Sequence, residues 1–345
     1  MDSRERVVRA IERTGPDRLP FLHSALHGFS QRYPQAWREL QARYPGDFAE
    51  TGFKEPEEFG AVIGVEQDDG WGAIWVRTSD EHKGLIVHHP LADWSALATY
   101  RFPDPLVLDD WSAVPETLAR GKHEKYVMVD GDTLWQRMFY LRGMENLMLD
   151  LGEGRREILY LRDRILEFIL RKIDRWLEFD VDGIRFRDDW GTQQTLLISP
   201  RQWREVFKPA YRQMFDAVHA GGKHVWFHSD GVISSIIPDL IELGVDVLNP
   251  QFNCIGNAEL GRLTAGRICL LGDVDRQYTL PFGTPAEVAA HVGETIGTFA
   301  GYNGGYIARG ELAGDVTVAN AEAMYATFAS YHYVGGQLRH SARAE

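Results

Sequence analysis

Short apolar runs that stop on a reactive side chain recur along the chain, and a stretch of helical periodicity follows almost every one. They read Leu19-Pro-Phe-Leu-His23, Tyr126-Val-Met-Val-Asp-Gly-Asp132, Gly183-Ile-Arg-Phe-Arg-Asp-Asp189, His224-Val-Trp-Phe-His-Ser-Asp230, Val245-Asp-Val-Leu-Asn-Pro-Gln251, Ile268-Cys-Leu-Leu-Gly-Asp273 and Gly305-Tyr-Ile-Ala-Arg-Gly-Glu311. Between Arg156 and Leu177 the apolar positions Ile158, Leu161, Ile165, Phe168, Ile169, Ile173 and Leu177 keep helical spacing, which predicts one long helix feeding the strand at Gly183. Further helices are predicted over Ser199–Ala220, Ile233–Leu243, Ala258–Thr264, Pro285–Phe299 and Ala319–Tyr331. Strands alternating with helices make a parallel sheet with helical crossovers. Strands that all end in polar groups put those groups at the C-terminal mouth of a barrel. The expected fold is therefore α/β, a single (β/α)8 TIM-barrel domain over residues 1–345.

Details follow from local signals. Ser3 to Arg13 reads as an amphipathic helix capped by Ser3 and ended by Gly15-Pro16. Between His23 and Tyr126 lies a long insertion, residues 24–125, in which Gly72–Arg77 and Gly84–His88 look like the arms of a β-hairpin near the barrel mouth. Seven strands are assigned; Ala61 to Val65 is a weak candidate for the eighth.

Composition narrows the partners. A formal net charge of −13 argues against a nucleic-acid surface, which selects for clustered Lys and Arg. The apolar runs are strand-length, so no segment is expected to span a bilayer, and the start Met1-Asp-Ser-Arg lacks the apolar stretch of a signal peptide. A cytoplasmic protein acting on a small molecule or a protein partner is the expectation. Two cysteines, Cys254 and Cys269, cannot make a disulfide framework, and Cys269 is expected to be a buried free thiol.

The strand ends supply the chemistry. His228 and Asp230 are two residues apart at one strand end and would point the same way, a chelating arrangement that also occurs by chance. Asp188, Asp189, Asp230, Asp273, Asp275 and Glu311 would share one rim, and carboxylates in one pocket repel. A metal, a cationic substrate, Arg185, Arg187 and Arg309, or protons on the acids must offset that charge. One of Asp188 and Asp189 is expected to cap a helix or turn, leaving the other for the pocket. Asn249 and Gln251 could orient a polar ligand or simply fix a turn, and Asp273 could bind substrate or cap one. Arg18 sits ahead of the first strand, where a stabilising ion pair is the expectation. Trp71, Trp75, Trp135 and Trp226 are assigned to the core, whereas Trp190, directly after the aspartates, is a candidate substrate contact with Gln193. Signatures of serine hydrolases, P-loop NTPases, dinucleotide enzymes and zincins are absent.

The ordered set Pro16-Asp-Arg-Leu-Pro20, Asp69-Gly-Trp-Gly72, Pro90-Leu-Ala-Asp93, Phe102-Pro-Asp-Pro105, Arg142-Gly143, Asp188-Asp-Trp-Gly-Thr-Gln193, Ser199-Pro200, Lys208-Pro209, His228-Ser-Asp-Gly231, Asn249-Pro-Gln251 and Phe282-Gly-Thr-Pro285 resembles the uroporphyrinogen decarboxylase superfamily. More narrowly it is similar to the branch of corrinoid-linked methyltransferases. True decarboxylases of the superfamily carry an Arg- and Gly-rich early segment for the substrate's carboxylates; Phe21–Ser30 lacks that basic cluster, so haem biosynthesis is not expected. The methyltransferases bind zinc through a His-x-Cys pair and a later Cys. Here His228 remains, Asp230 replaces the first Cys, and Glu311 falls near the second.

The resemblance thus implies a Zn²⁺ site of His228, Asp230 and Glu311, harder than a thiolate set. Such a site would polarise the oxygen of a methoxylated donor, with Asp188 or Asp189 as acid or orienting group, while a partner protein carries the corrinoid acceptor. Members are often homodimers. Two alternatives stand beside methyl transfer: a metal-free decarboxylase of a carboxylated small molecule, and a barrel that only binds a ligand.

Overall fold

The computed structural model describes residues 1–49, 62–78, 84–121 and 124–341. Seven parallel strands form its main sheet: β1 (Phe21–Leu22), β5 (Met128–Asp132), β6 (Gly183–Arg187), β7 (His224–Ser229), β8 (Val247–Pro250), β9 (Cys269–Leu271) and β10 (Tyr306–Arg309). Their order, β1-β10-β9-β8-β7-β6-β5, curls the sheet so that β1 and β5 are its two edges. Residues 47–49 lie between those edges. The amide of Asp47 donates to the carbonyl of Phe21 at 3.1 Å, Ala49 N donates to Tyr126 O at 2.9 Å, and Tyr126 N donates to Asp47 O at 3.0 Å. The architecture is α/β and TIM-barrel-like, as the alternation of runs and helices predicts.

This placement corrects two expectations. The chain from His23 to Tyr126 is not one continuous excursion, because residues 47–49 return to the sheet. Val62 to Val65 form a turn rather than a strand, with Gly64 N bonded to Arg77 O at 2.9 Å, and Ala61 lies outside the described residues. The hairpin strands are β2 (Glu66–Asp68), β3 (Ile74–Val76) and β4 (Leu85–His88), an antiparallel sheet of three rather than two. It packs on the helices Trp135–Arg142 and Arg156–Leu177 through Trp71 against Phe168 (4.6 Å between centroids) and Trp75 against Tyr140 (4.9 Å).

Alternation along each strand sorts the side chains into two cores. Val129, Ile184, Phe186, Val225, Phe227, Leu248, Leu270 and Ala308 face outward into the large core shared with the surrounding helices. Trp226, Val247, Cys269, Leu271 and Ile307 face inward, where they meet Val7, Ala10 and Ile11 of the first helix, Ser3–Glu12. That helix closes the bottom of the ring. Its N-cap is Asp2, which accepts from Glu5 N at 2.7 Å, so Ser3 is its first residue and not its cap. Arg13, in the left-handed region at φ 58°, ends it just before Gly15.

Charge is buried at the same end. The fully buried Asp47 accepts from Arg6 at 2.7 Å, from both terminal nitrogens of Arg18 at 2.9 and 2.8 Å, and from the amide of Phe21 at 3.0 Å. Arg18 thus makes the ion pair expected of it. Removing one member of such a set strands the others without a counter-charge, which typically costs about 3–5 kcal/mol. Asp47→Ala is therefore expected to lose about that much in urea unfolding, against less than about 1 kcal/mol for removal of an exposed pair such as Arg262–Glu259.

Candidate functional site

Above the apolar inner layer most inward positions turn polar: Asp130 on β5, Arg185 and Arg187 on β6, His228 on β7, Asn249 on β8 and Arg309 on β10, with Asp273 just past β9; Leu22, in register with Arg309, stays apolar. Register aligns them laterally, since Arg187 pairs with His228 and His228 with Asn249. The loops after β6 and β7 then cross backbone to backbone. A Cβ on Gly191 would stand 2.4 Å from the carbonyl carbon of Gly231, and Gly231 has φ +77°, so glycine is required at both positions. Gly191 N donates to Asp230 O at 3.1 Å and Val232 N to Thr192 O at 2.8 Å. Asp189 and Asp230 are held together by this crossing.

The outcome is a cluster of Asp189, His228 and Asp230, whose ligand-capable atoms lie within 4.8 Å of one another. Nε2 of His228 stands 3.7 Å from Oδ1 of each aspartate. Nδ1 faces two acceptors, the backbone O of Asn249 at 2.9 Å and its Oδ1 at 2.8 Å, and Asn249 Nδ2 is committed to Leu271 O at 2.9 Å. The His228 proton therefore belongs on Nδ1, and the Nε2 lone pair faces the aspartates. Burial lowers the His228 pKa, against the pull of Asp189 and Asp230, and so favours the neutral ring. One imidazole nitrogen and two carboxylate oxygens suit a divalent cation, which would also offset the repulsion between the acids. A ring nitrogen fixed through its other nitrogen is the usual construction of a metal-binding histidine.

Several expected site residues face elsewhere. Glu311 does not join the cluster: Arg276 Nη1 donates to its Oε1 at 2.6 Å and Arg309 Nη2 to its Oε2 at 2.5 Å. Although burial alone would raise its pKa, these two guanidiniums hold Glu311 below the usual range. Asp188 is fully buried and accepts from Leu134 N at 3.0 Å, Gln136 N at 2.9 Å and Tyr211 OH at 2.6 Å, so it caps the neighbouring helix and offers nothing to the mouth. Burial pushes its pKa up to about 7. Trp190 is also fully buried, stacked on Trp135 at 4.6 Å, and joins Trp71, Trp135 and Trp226 as core, while Trp75 is only half-buried.

The rest divide by side. Gln251 accepts from Gly231 N at 2.9 Å and so braces the loop that carries Asp230. Asn249 is spent on His228 and Leu271. Gln193 is exposed, accepting from Cys254 Sγ at 3.2 Å, beyond the cluster. Asp273 keeps its place at the mouth: it is 9% exposed, makes no hydrogen bond among the described residues, and is pushed up to about 6 by burial despite Arg309 and Arg276. Sequence reasoning missed Arg276, which also approaches Asp230 at 3.3 Å, and Gln136, which donates to Asp189 at 2.8 Å. The only signal for Arg276 was its place just after a strand end; Gln136 had none.

A family model for uroporphyrinogen decarboxylase (URO-D) matches residues 78–331. Among solved structures, a methyltransferase from Methanosarcina mazei superimposes with a TM-score of 0.69 at 15% identity, covering 95% of this chain and 98% of that one. At that identity the likeness is one of fold. A 3-keto-D-glucoside 4-epimerase from E. coli (TM-score 0.39, 13% identity, 63% of this chain and 81% of that one) and a dihydropteroate synthase from Anaplasma phagocytophilum (TM-score 0.34, 13% identity, 55% and 69%) are too distant to bear on function. No curated protein matches the chain.

Two outcomes follow from this geometry. Asn249→Ala frees the His228 ring, so the affinity of the cluster for a divalent cation, measured by chelator competition, is expected to fall about 10- to 100-fold. Asp273, raised in the folded state from 3.8 to about 6, contributes stability that is complete below about pH 4 and is lost as pH rises through 6. At about 1.4 kcal/mol per unit that loss is on the order of 2–3 kcal/mol. Urea unfolding between pH 4.5 and 7.5 should show it in the wild type and not in Asp273→Asn; parallel profiles would contradict the assignment.

Proposed function

The chain belongs to the uroporphyrinogen decarboxylase family, and from that starting point we propose that it is a methyltransferase moving a methyl group from a small methoxylated substrate to a corrinoid carried by a separate protein. The observation that carries the reading is the Asp189, His228 and Asp230 cluster at the strand ends, with the His228 lone pair aimed between the two carboxylates. We take the scaffold as one (β/α)8 barrel in which residues 47–49 fill the eighth strand position.

These residues have the donors to hold Zn²⁺, and when bound the metal polarises the ether oxygen so that it leaves more readily. The protein's own groups do the remainder. Asn249 keeps Nε2 of His228 unprotonated and aimed; Gln136 and the amide of Asp230 orient Asp189. Asp273, at the mouth and with its pKa pushed up to about 6 by burial, stands beside the cluster as a substrate-binding group. The acceptor reaches the methyl group from the open end, because the first helix fills the other.

A second reading, a metal-free carboxy-lyase, draws on one feature. Asp273, with no hydrogen bond among the described residues and with its raised pKa, could manage the proton of a decarboxylation. Metal content decides between them. Purified protein dialysed against Zn²⁺ and a weak chelator is expected to keep about one metal per chain, lost in His228→Ala and Asp230→Ala, and to demethylate methoxy compounds only when reduced corrinoid protein is added. A wild type without metal sinks the methyl-transfer reading.

A further inference from the structure

Four arginines reach the mouth, in two pairs that each share one carboxylate. Arg185 and Arg187 converge on Asp130, at 3.1 and 3.0 Å, and against its burial they hold that carboxylate well below the usual range. Arg276 and Arg309 instead share Glu311, one oxygen each. A guanidinium has five N–H donors. Beyond Glu311, Arg276 makes only long contacts to Asp230, at 3.3 and 3.5 Å, and Arg309 makes no other hydrogen bond among the described residues. The Arg309 side chain is only 16% exposed, so bulk water does not readily satisfy what is left.

Asp273 lies on the same side of the mouth, between the strand ends that carry His228's partner Asn249 and Arg309. The two guanidiniums are its main electrostatic neighbours, yet it bonds to neither. A buried carboxyl that stays unpaired beside two under-used forks leaves room for a group that completes all three. Glu311 balances one of the two guanidiniums, which leaves the other charge to an incoming anion with only the long 3.3 Å contact to Asp230 in competition. That favours a monoanion over a phosphate dianion, which would also face Glu311 and Asp230. The planar fork of arginine matches the two oxygens of a carboxylate.

We propose that Arg276, Arg309 and Asp273 form a subsite for the carboxylate of the substrate, so that the methyl donor presented to the Asp189, His228 and Asp230 cluster is a methoxylated carboxylic acid. The substrate class rests on the methyl-transfer reading above; the anion subsite does not. Glu311, which stands outside the metal-ligating cluster, becomes the residue that holds both guanidiniums in place.

The test is calorimetric titration of the full chain, zinc-loaded and zinc-free, with methoxyacetate and 4-methoxybenzoate and with the primary amides of both. The acids are expected to bind about tenfold or more tightly than their amides, the worth of a charged hydrogen-bond pair. That preference should vanish in Arg309→Gln and in Arg276→Gln, with melting temperatures confirming that each variant is folded. Zinc retention should persist in Arg309→Gln. Equal binding of acids and amides, no binding of either acid, or a preference that survives both substitutions would overturn the subsite. Arginine-dependent binding of the acids by a protein that retains no zinc supports the subsite and removes the methyl-transfer reading.

Discussion

Alternation along parallel strands governs this molecule, because each strand of the curled sheet must give every second side chain to its inner face. The first helix fills the lower half of that interior with Val7, Ala10 and Ile11 against Trp226, Val247 and Ile307, so the inner positions there have to be apolar. An unpaired polar group in that layer would cost several kcal/mol. Polar inner residues therefore gather at the upper end, with His224 below Trp226 as an exception held by the hydroxyl of Tyr126 at 3.0 Å. The crowding of acids, arginines and a histidine at the mouth is a direct result of that constraint.

Crowding alone does not make a site; the hydrogen bonds behind the cluster do. Asn249 sets the tautomer of His228, Gln251 and the Gly191–Gly231 crossing place Asp230, and Gln136 turns Asp189 toward it. Ion pairs then sort the remaining charge. Asp130 takes two arginines and Glu311 takes two others, which leaves Asp189, Asp230 and Asp273 as the acids with capacity for something from outside. A cation suits the first two and a proton the third.

Much of this was legible in the chain itself. Seven strand ends, the long Arg156–Leu177 helix and the pairing of Arg18 follow from periodicity and capping chemistry, since those signals are local. Residues 47–49 were not legible, because a bridge this short, interrupted by a buried aspartate, carries no alternation to detect. The site was half legible. His228 and Asp230 share one strand, so their direction is fixed by spacing; Asp189 joins them only through a crossing of two loops. Conversely, Glu311 and Trp190 stand where the sequence puts them but point to other partners, two arginines and an aromatic core, which no strand pattern reveals. The sequence predicts that one of Asp188 and Asp189 caps and the other faces the pocket; only three-dimensional packing makes Asp188 the buried cap and Asp189 the half-buried member of the cluster.

X-ray absorption at the zinc edge bears most directly on the central claim, that two carboxylates and one imidazole replace a thiolate set. The zinc-loaded protein is expected to show a first shell of nitrogen and oxygen at about 2.0–2.1 Å, with outer-shell scattering from a single imidazole and no sulfur. A sulfur shell at about 2.3 Å would contradict it, and would move the metal away from Asp189 and Asp230 toward Cys254.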